Sequence, residues 1–231
     1  MPTSESRVRF EENFQDIDQL IDIYKSLLFL EEEEDEDDEE ESDFSSHKSV
    51  VLRSSIVLMV SHWEAYVEDI CSEAIDYIVE NASSSDGLPK SLRQQISKEV
   101  KEDKNELRVW DLAGEKWRDV IKERLSDYHL QRNRKFNSPK SNPVITFFKT
   151  YLGIEDISKK WRYKDLTPDG CKRMLDEIVE VRGAIAHRGH PTKELTVELA
   201  TEYSEFLKTL ISYTGGSVNT ATKKICGSGL Y

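Results

Sequence analysis

Arg182 and His187, separated by four residues, are the pair of side chains in this sequence best suited to chemistry. They close a segment whose apolar spacing predicts a helix from about residue 171 to residue 187. An imidazole can give and take protons near neutral pH, and a guanidinium can bind a phosphate and stabilise charge that builds on it. The pair therefore suits metal-independent cleavage of a phosphodiester, with a ribose 2′-hydroxyl as the nucleophile.

The same pattern also has a purely structural interpretation. In the last turn of a helix, His187 would lie at the negative end of the helix dipole, which favours the imidazolium form by ~0.3–1 kcal/mol. Basic side chains at this place also serve as ordinary helix C-caps. A second pair with the same spacing, Arg124 and His129, occurs upstream. Spacing alone neither separates the two pairs nor excludes capping.

Three further side chains are candidates for supporting this site, namely Glu64, Arg188 and His190. Glu64 follows Trp63, which belongs to an apolar helical stripe and is expected to pack in the core. On a flank of that helix Glu64 could orient the arginine or the histidine of the motif, and a solvated or ion-paired glutamate is an equally good interpretation. Arg188 and His190 could add positive charge to a cleft, or be exposed basic residues at a helix end.

A basic cluster precedes the loop at Pro139 and consists of Arg132, Arg134 and Lys135. These side chains could bind RNA phosphates, with Phe136 as a stacking surface for a base. A solvated loop is the alternative interpretation.

The charge of the chain is concentrated in one segment. Residues 31–43 hold 12 acidic side chains and no basic one, whereas the remaining 33 acidic and 32 basic residues nearly balance. Like charges at this density repel one another and have nothing to bury, so we expect a disordered, solubilising loop. Two alternatives are a nucleic-acid mimic that occupies a basic cleft and a binding element for a basic partner.

Several classes of protein are excluded by composition. No segment has the ~20 apolar residues that span a bilayer, and the N-terminus lacks the apolar core of a signal peptide. The three cysteines are widely spaced and predict neither a disulfide framework nor a metal site. No glycine-rich phosphate loop is present. We therefore expect a cytoplasmic protein with no membrane contact, no cofactor and no metal.

The hydrophobic periodicity is helical almost everywhere and predicts an all-α bundle of about six to seven helices. The strongest stripe runs from about residue 50 to residue 80 and predicts a central helix. Pro143 suits the first turn of a short helix. We expect one domain over residues 1–213, with a flexible tail over residues 214–231 because that segment is rich in Gly, Ser and Thr.

Taken together, these segments resemble the HEPN superfamily of helical-bundle ribonucleases, and within it the RiboL-PSP type. The resemblance covers roughly residues 10–213. It is carried by the first helix with Phe14, Ile17, Asp18 and Leu20, by the segments 52–58 and 63–69, by residues 143–154, and by the segment 180–187 followed by a helix with Tyr203, Phe206 and Leu207.

The resemblance implies a homodimer in which the motifs of two protomers form one composite cleft. It also implies metal-independent RNA cleavage that leaves a 2′,3′-cyclic phosphate, with Arg182 as the phosphate clamp and His187 as the proton-transfer residue. A toxin or defence role and a neutralising antitoxin or other regulatory protein go with the family. The pair Arg124 and His129 has no counterpart there. Where the family commonly has a polar residue after the arginine, this chain has Gly183.

Two other functions remain open on the sequence. A non-catalytic HEPN module that binds RNA or nucleotides is favoured by Gly183. A helical protein-interaction domain is favoured by the acidic run 31–43, which would then contact the partner.

Overall fold

A computed structural model describes residues 3–33, 41–124, 138–191 and 193–231 of the chain. Within these ranges the architecture is all-helical, as the periodicity predicts, and the only strand-like pairing is an isolated bridge between Tyr163 and Leu166. No helix among the described residues is long and apolar enough to cross a membrane. The α-helices are α1 (Glu5–Glu33), α2 (Glu41–Asn81), α3 (Lys90–Lys101), α4 (117–124), α5 (Ser141–Leu152), α6 (Pro168–Arg188) and α7 (Val197–Cys226).

Helix α2 is the central element, because α1, α5, α6 and α7 all pack against it. Its apolar stripe is fully buried and continues into one hydrophobic core shared by the described helices. At the N-terminus of α1, Glu73 of α2 accepts hydrogen bonds from the backbone N–H groups of Glu5 (3.0 Å) and Ser6 (2.9 Å). A carboxylate at this place satisfies donors that have no intrahelical partner and favours the positive end of the helix dipole. This contact fixes α1 along α2.

Two buried indoles connect α2 to the C-terminal half of the chain. The rings of Trp63 and Trp161 meet edge to face with centroids 6.3 Å apart. The Nε1–H of Trp63 donates to the carbonyl of Pro139 (3.0 Å), and that of Trp161 donates to Oγ1 of Thr214 (3.1 Å). Both buried N–H groups are therefore satisfied, and the segment before α5 and the middle of α7 are fixed relative to α2.

Local sequence signals define both ends of α6. Thr167 caps its N-terminus by accepting from the backbone N–H of Gly170, and Pro168 occupies the first turn. Gly189 ends the helix with φ of 77°, the left-handed conformation that favours glycine. Along its length, Asp176 accepts hydrogen bonds from the backbone N–H and the hydroxyl of Ser141 (2.6 and 2.9 Å), which also caps α5.

The acidic run enters the helices from both sides, because α1 continues to Glu33 and α2 begins at Glu41. Helix α2 thus begins about two and a half turns before the predicted start near residue 50. The centre of the run, residues 34–40, lies outside the described residues, as does the basic cluster with Arg132, Arg134 and Lys135.

The prediction of a flexible tail over residues 214–231 is wrong for residues 214–226, because α7 continues to Cys226. Gly215 does not break the helix: a Cβ there would come within 2.8 Å of the Tyr66 hydroxyl, so glycine permits close packing. The hydroxyls of Ser217, Thr220 and Thr222 donate to carbonyls four residues earlier, which satisfies them within the helix.

Candidate functional site

Arg182 lies on the half-buried flank of α6, and its Nε is buried without a hydrogen-bond partner. In the part of the chain that the structure describes, no hydrogen bond or ion pair engages its guanidinium. A buried donor without a partner costs about 1–3 kcal/mol of stability, more for a charged group. An anion at this place would remove that cost.

Glu64 of α2 lies close enough to Arg182 for the opposite charges of the two side chains to attract each other. Burial raises the pKa of the Glu64 carboxyl, the nearby carboxylate of Glu68 adds to the rise, and attraction to Arg182 opposes it. Because the net pKa is raised, burial outweighs the attraction to Arg182. Glu64 therefore lies within electrostatic reach of the arginine of the motif.

His187 occupies the last turn of α6 and is exposed to solvent. The end of this helix is anchored to α2 by Arg53, whose Nη1 donates to the carbonyl of Gly189 (2.9 Å). A guanidinium at a helix C-terminus satisfies a free carbonyl and lies at the favourable end of the dipole. The anchor therefore holds the turn that carries His187 at a fixed place on α2.

Helical geometry separates the two side chains of the motif within one protomer. Five residues along an α-helix rise by ~7.5 Å and turn by about 140° relative to the starting direction. Arg182 accordingly lies on the half-buried flank, whereas His187 faces solvent. One copy of α6 by itself does not point both groups at the same phosphate.

The remaining predicted residues have different surroundings. Arg188 and His190 are exposed beside His187, and Arg188 adds positive charge there. Arg124, from the second motif of the same spacing, forms an ion pair with Asp103, and His129 lies outside the described residues. The structure therefore gives Arg124 a structural partner that Arg182 lacks.

Gly183 and its neighbours leave the flank of α6 beside the motif flat. A Cβ built at Gly183 would meet no atom within 4 Å, so its glycine is not required by packing. Ala186, three residues further along and on the same side of the helix, is exposed. Small side chains at these positions allow another helix to approach closely.

Arg53, which holds the end of α6 in place, is not among the site residues predicted from the sequence. The spacing between Arg53 and Glu64 is the feature of the sequence that could have identified it. Eleven residues are about three helical turns, so both side chains lie on the same face of α2. The matching pair on α6 is Gly189 and Arg182, which are seven residues, or about two turns, apart. The two faces pack antiparallel.

Comparison with known proteins gives one finding on the family. The family model described as RiboL-PSP-HEPN matches residues 16–219, which is most of the chain. No curated protein and no solved structure matches the chain significantly.

Gly183, inside α6, and Gly189, which ends it, predict opposite effects of the same substitution. Gly183→Ala should stabilise the protein by about 0.5–1 kcal/mol, because alanine loses less backbone entropy in a helix and its Cβ meets open space. Gly189→Ala should destabilise it by about 1–2 kcal/mol, because an L residue is strained at a φ of 77°. Urea unfolding of both variants beside the wild type measures the difference. Changes of the same sign in both variants would contradict this account of α6.

Glu64→Gln predicts a pH-dependent gain in stability. A carboxyl whose folded pKa is raised contributes fully to stability below its unfolded pKa, and this contribution is lost as the pH rises through the folded pKa. The neutral amide avoids that loss, so the variant should melt higher than the wild type at about pH 7 and equal it towards about pH 4. Glu12→Gln, at an exposed position of α1, should change neither value. A Glu64→Gln variant that is less stable at neutral pH would show that the carboxylate is favourably paired.

Proposed function

Because the chain belongs to the RiboL-PSP-HEPN family, we propose that it is a metal-independent endoribonuclease. Arg182 binds the scissile phosphate, and His187 transfers protons. The observation that carries this proposal is the Arg182 guanidinium, which has a buried Nε and no partner among the described residues. A phosphate oxygen supplies the acceptor that the fold does not.

The proposed reaction is an intramolecular transesterification. A neutral imidazole takes the proton from the ribose 2′-hydroxyl, and the 2′-oxygen attacks the adjacent phosphorus. The bond from phosphorus to the 5′-oxygen breaks, and a protonated imidazole gives that oxygen its proton. The products are a 2′,3′-cyclic phosphate and a free 5′-hydroxyl. Arg182 stabilises the negative charge that builds on the non-bridging oxygens.

We propose further that the site is completed by a second copy of the chain. The divergence of Arg182 and His187 by about 140° around α6 means that two protomers are needed to bring an arginine and a histidine to one phosphate. Gly183 and Ala186, which lie on one side of the helix beside the motif, allow the close approach of a second α6. In a two-fold dimer, self-complementary contacts of this flank place both motifs at the axis. Cleavage of cellular or invading RNA would make the dimer a toxin or defence effector.

A non-catalytic RNA-binding module is the second candidate function, and Gly183 favours it. A polar side chain beside the arginine could position the histidine or the substrate, and Gly183 provides none. RNA binding through Arg182 would persist in such a module while cleavage would not.

The proposed activity predicts RNA cleavage in the presence of EDTA. Wild-type protein should yield fragments with cyclic phosphate ends, whereas Arg182→Ala and His187→Ala should each lower the rate by at least about 100-fold, which is typical for loss of a proton-transfer or charge-stabilising group. Arg173→Ala, at an exposed position of the same helix, should cleave as the wild type does. Gly183→Asn supplies the polar side chain that the family commonly has after the arginine, and its rate beside that of the wild type measures what such a side chain contributes.

Circular dichroism and melting of each variant establish that the helices are intact. Undiminished cleavage by Arg182→Ala or His187→Ala would overturn the assignment of the site. Binding of RNA without cleavage, by both the wild type and Gly183→Asn, would select the non-catalytic module.

A mixing experiment tests the composite site. A dimer formed from one Arg182→Ala protomer and one His187→Ala protomer still holds one Arg182 and one His187 on opposite chains. Statistical pairing makes about half of the dimers mixed, so unfolding and refolding the two inactive variants together should restore up to about half of the wild-type rate. No recovery, although mixed dimers are detected through two different tags, would show that both groups must come from one chain or that both copies of each are needed.

A further inference from the structure

A second concave surface, which we call the basic groove, lies between α7 and the segment that follows α5. It runs between the segment 153–160, which follows α5, and the last three turns of α7, and it has a volume of about 560 Å³. It continues past Pro89 to the start of α3. Neither Arg182 nor His187 is among the residues that line it. The basic groove is therefore separate from the Arg182 site.

The charge of the basic groove is opposite to that of the chain. Its rim carries the exposed side chains of Lys90, Lys159, Lys160 and Lys224, and none of these forms an ion pair or hydrogen bond within the described ranges. The two acidic residues of the lining, Glu155 and Asp156, each have a partner of their own. Glu155 pairs with Lys149 (2.6 Å), and Asp156 caps the short helix that follows it. Unpaired lysines converge here in a protein whose net charge is −13.

The basic groove also offers a flat apolar surface. Tyr213 is 39% exposed, and the apolar side chains of Ile154 and Ile157 also line the basic groove. One turn along α7, a Cβ at Gly216 would meet no atom within 4 Å, so nothing covers the surface beside the ring. An exposed aromatic ring with lysines around it suits a planar base whose backbone is anionic, because bases stack on aromatic side chains and phosphates attract cations.

The positive surface extends along α3. Lys90 opens this helix, and Arg93, Lys98 and Lys101 follow on its exposed side. Arg93 and Lys98 have only exposed partners, Asp86 at 3.2 Å and Glu102 at 4.0 Å. Such pairs are weak and exchange readily for a phosphate. The chain thus presents a continuous basic path from Lys159 to Lys101.

We propose that the basic groove binds single-stranded RNA, with Tyr213 stacking on a base and Lys159, Lys160 and Lys224 contacting phosphates. This inference deepens the proposed ribonuclease function, because it assigns a second contact to the substrate. It makes the preferred substrate a strand long enough to reach from the basic groove to the Arg182 site, and it places the affinity for RNA largely away from the chemistry.

The test measures binding with a probe that cannot be cleaved. The probe is a fluorescein-labelled oligouridine of about 20 nucleotides with 2′-O-methyl groups, which remove the nucleophile. Anisotropy titrations at several salt concentrations compare the wild type with Lys159→Ala/Lys160→Ala/Lys224→Ala. The matched control, Lys104→Ala/Lys116→Ala/Lys223→Ala, removes the same charge at exposed positions outside the basic groove.

The groove variant should bind at least about tenfold more weakly than the control variant, and its slope of log affinity against log salt should fall by about two, because three phosphate contacts on a single strand contribute ~0.7 each. Tyr213→Ala should weaken binding about tenfold without changing the slope, since stacking is not ionic. Tyr213→Phe should bind normally. Inorganic polyphosphate, which has no bases, should not distinguish Tyr213→Ala from the wild type.

Equal binding by the groove variant and the control variant would overturn the proposal, and so would a wild type that does not bind the probe. Equal binding of the oligouridine by Tyr213→Ala and the wild type would remove the base from the proposed contact and overturn it as an RNA site. Failure of the ribonuclease function is seen separately, as normal binding of this probe together with no cleavage of ordinary RNA.

Discussion

The buried indole N–H groups of Trp63 and Trp161 set the constraint on which the rest of the structure depends. Each must find an acceptor inside the core, and each finds a particular one, the carbonyl of Pro139 and the hydroxyl of Thr214. An apolar core alone would let the helices slide along one another, because hydrophobic contact has no direction. These two hydrogen bonds fix the height of α5 and α7 on α2, and α6 is held to α5 through Asp176. The position of Arg182 on α6 therefore depends on these hydrogen bonds.

Two arginines lie at the contact between α2 and α6. Among the described residues, Arg53 has a hydrogen-bond partner and Arg182 has none. Arg53 satisfies the end of α6 through Gly189, so its charge is engaged. Glu64 lies close enough for its carboxylate to attract Arg182, and burial raises the pKa of the Glu64 carboxyl more than this attraction lowers it. No hydrogen bond or ion pair among the described residues engages the Arg182 guanidinium.

The sequence was sufficient to predict helices and much of the core, because apolar spacing reports which face of a helix is buried. The stripe through Trp63 and the end of α6 at Gly189 were predictable for this reason. The helical course of α7 beyond residue 213 was not, because the glycine at 215 makes room for the Tyr66 hydroxyl, a contact between residues far apart in the chain. For Trp110 the apolar spacing is misleading: it lies seven residues before the buried Trp117, which suggests a shared helical face, yet Trp110 is 75% exposed. Within the candidate site, Arg182 and His187 carried a motif, whereas the unpartnered state of Arg182 appears only when neighbouring helices are in place.

The glycine at 215 has a consequence for reading relatives of this chain. A residue in the middle of a long helix ordinarily tolerates alanine, which is the better helix former. Here the nearest obstacle to a methyl group is a hydroxyl that itself donates to the carbonyl of Ile211 (3.0 Å) and cannot move without losing that bond. The two positions are therefore expected to vary together: lineages that keep the tyrosine should keep the glycine, and lineages in which phenylalanine replaces Tyr66 should admit alanine on α7. Such a paired pattern in an alignment would record a steric contact rather than a shared function.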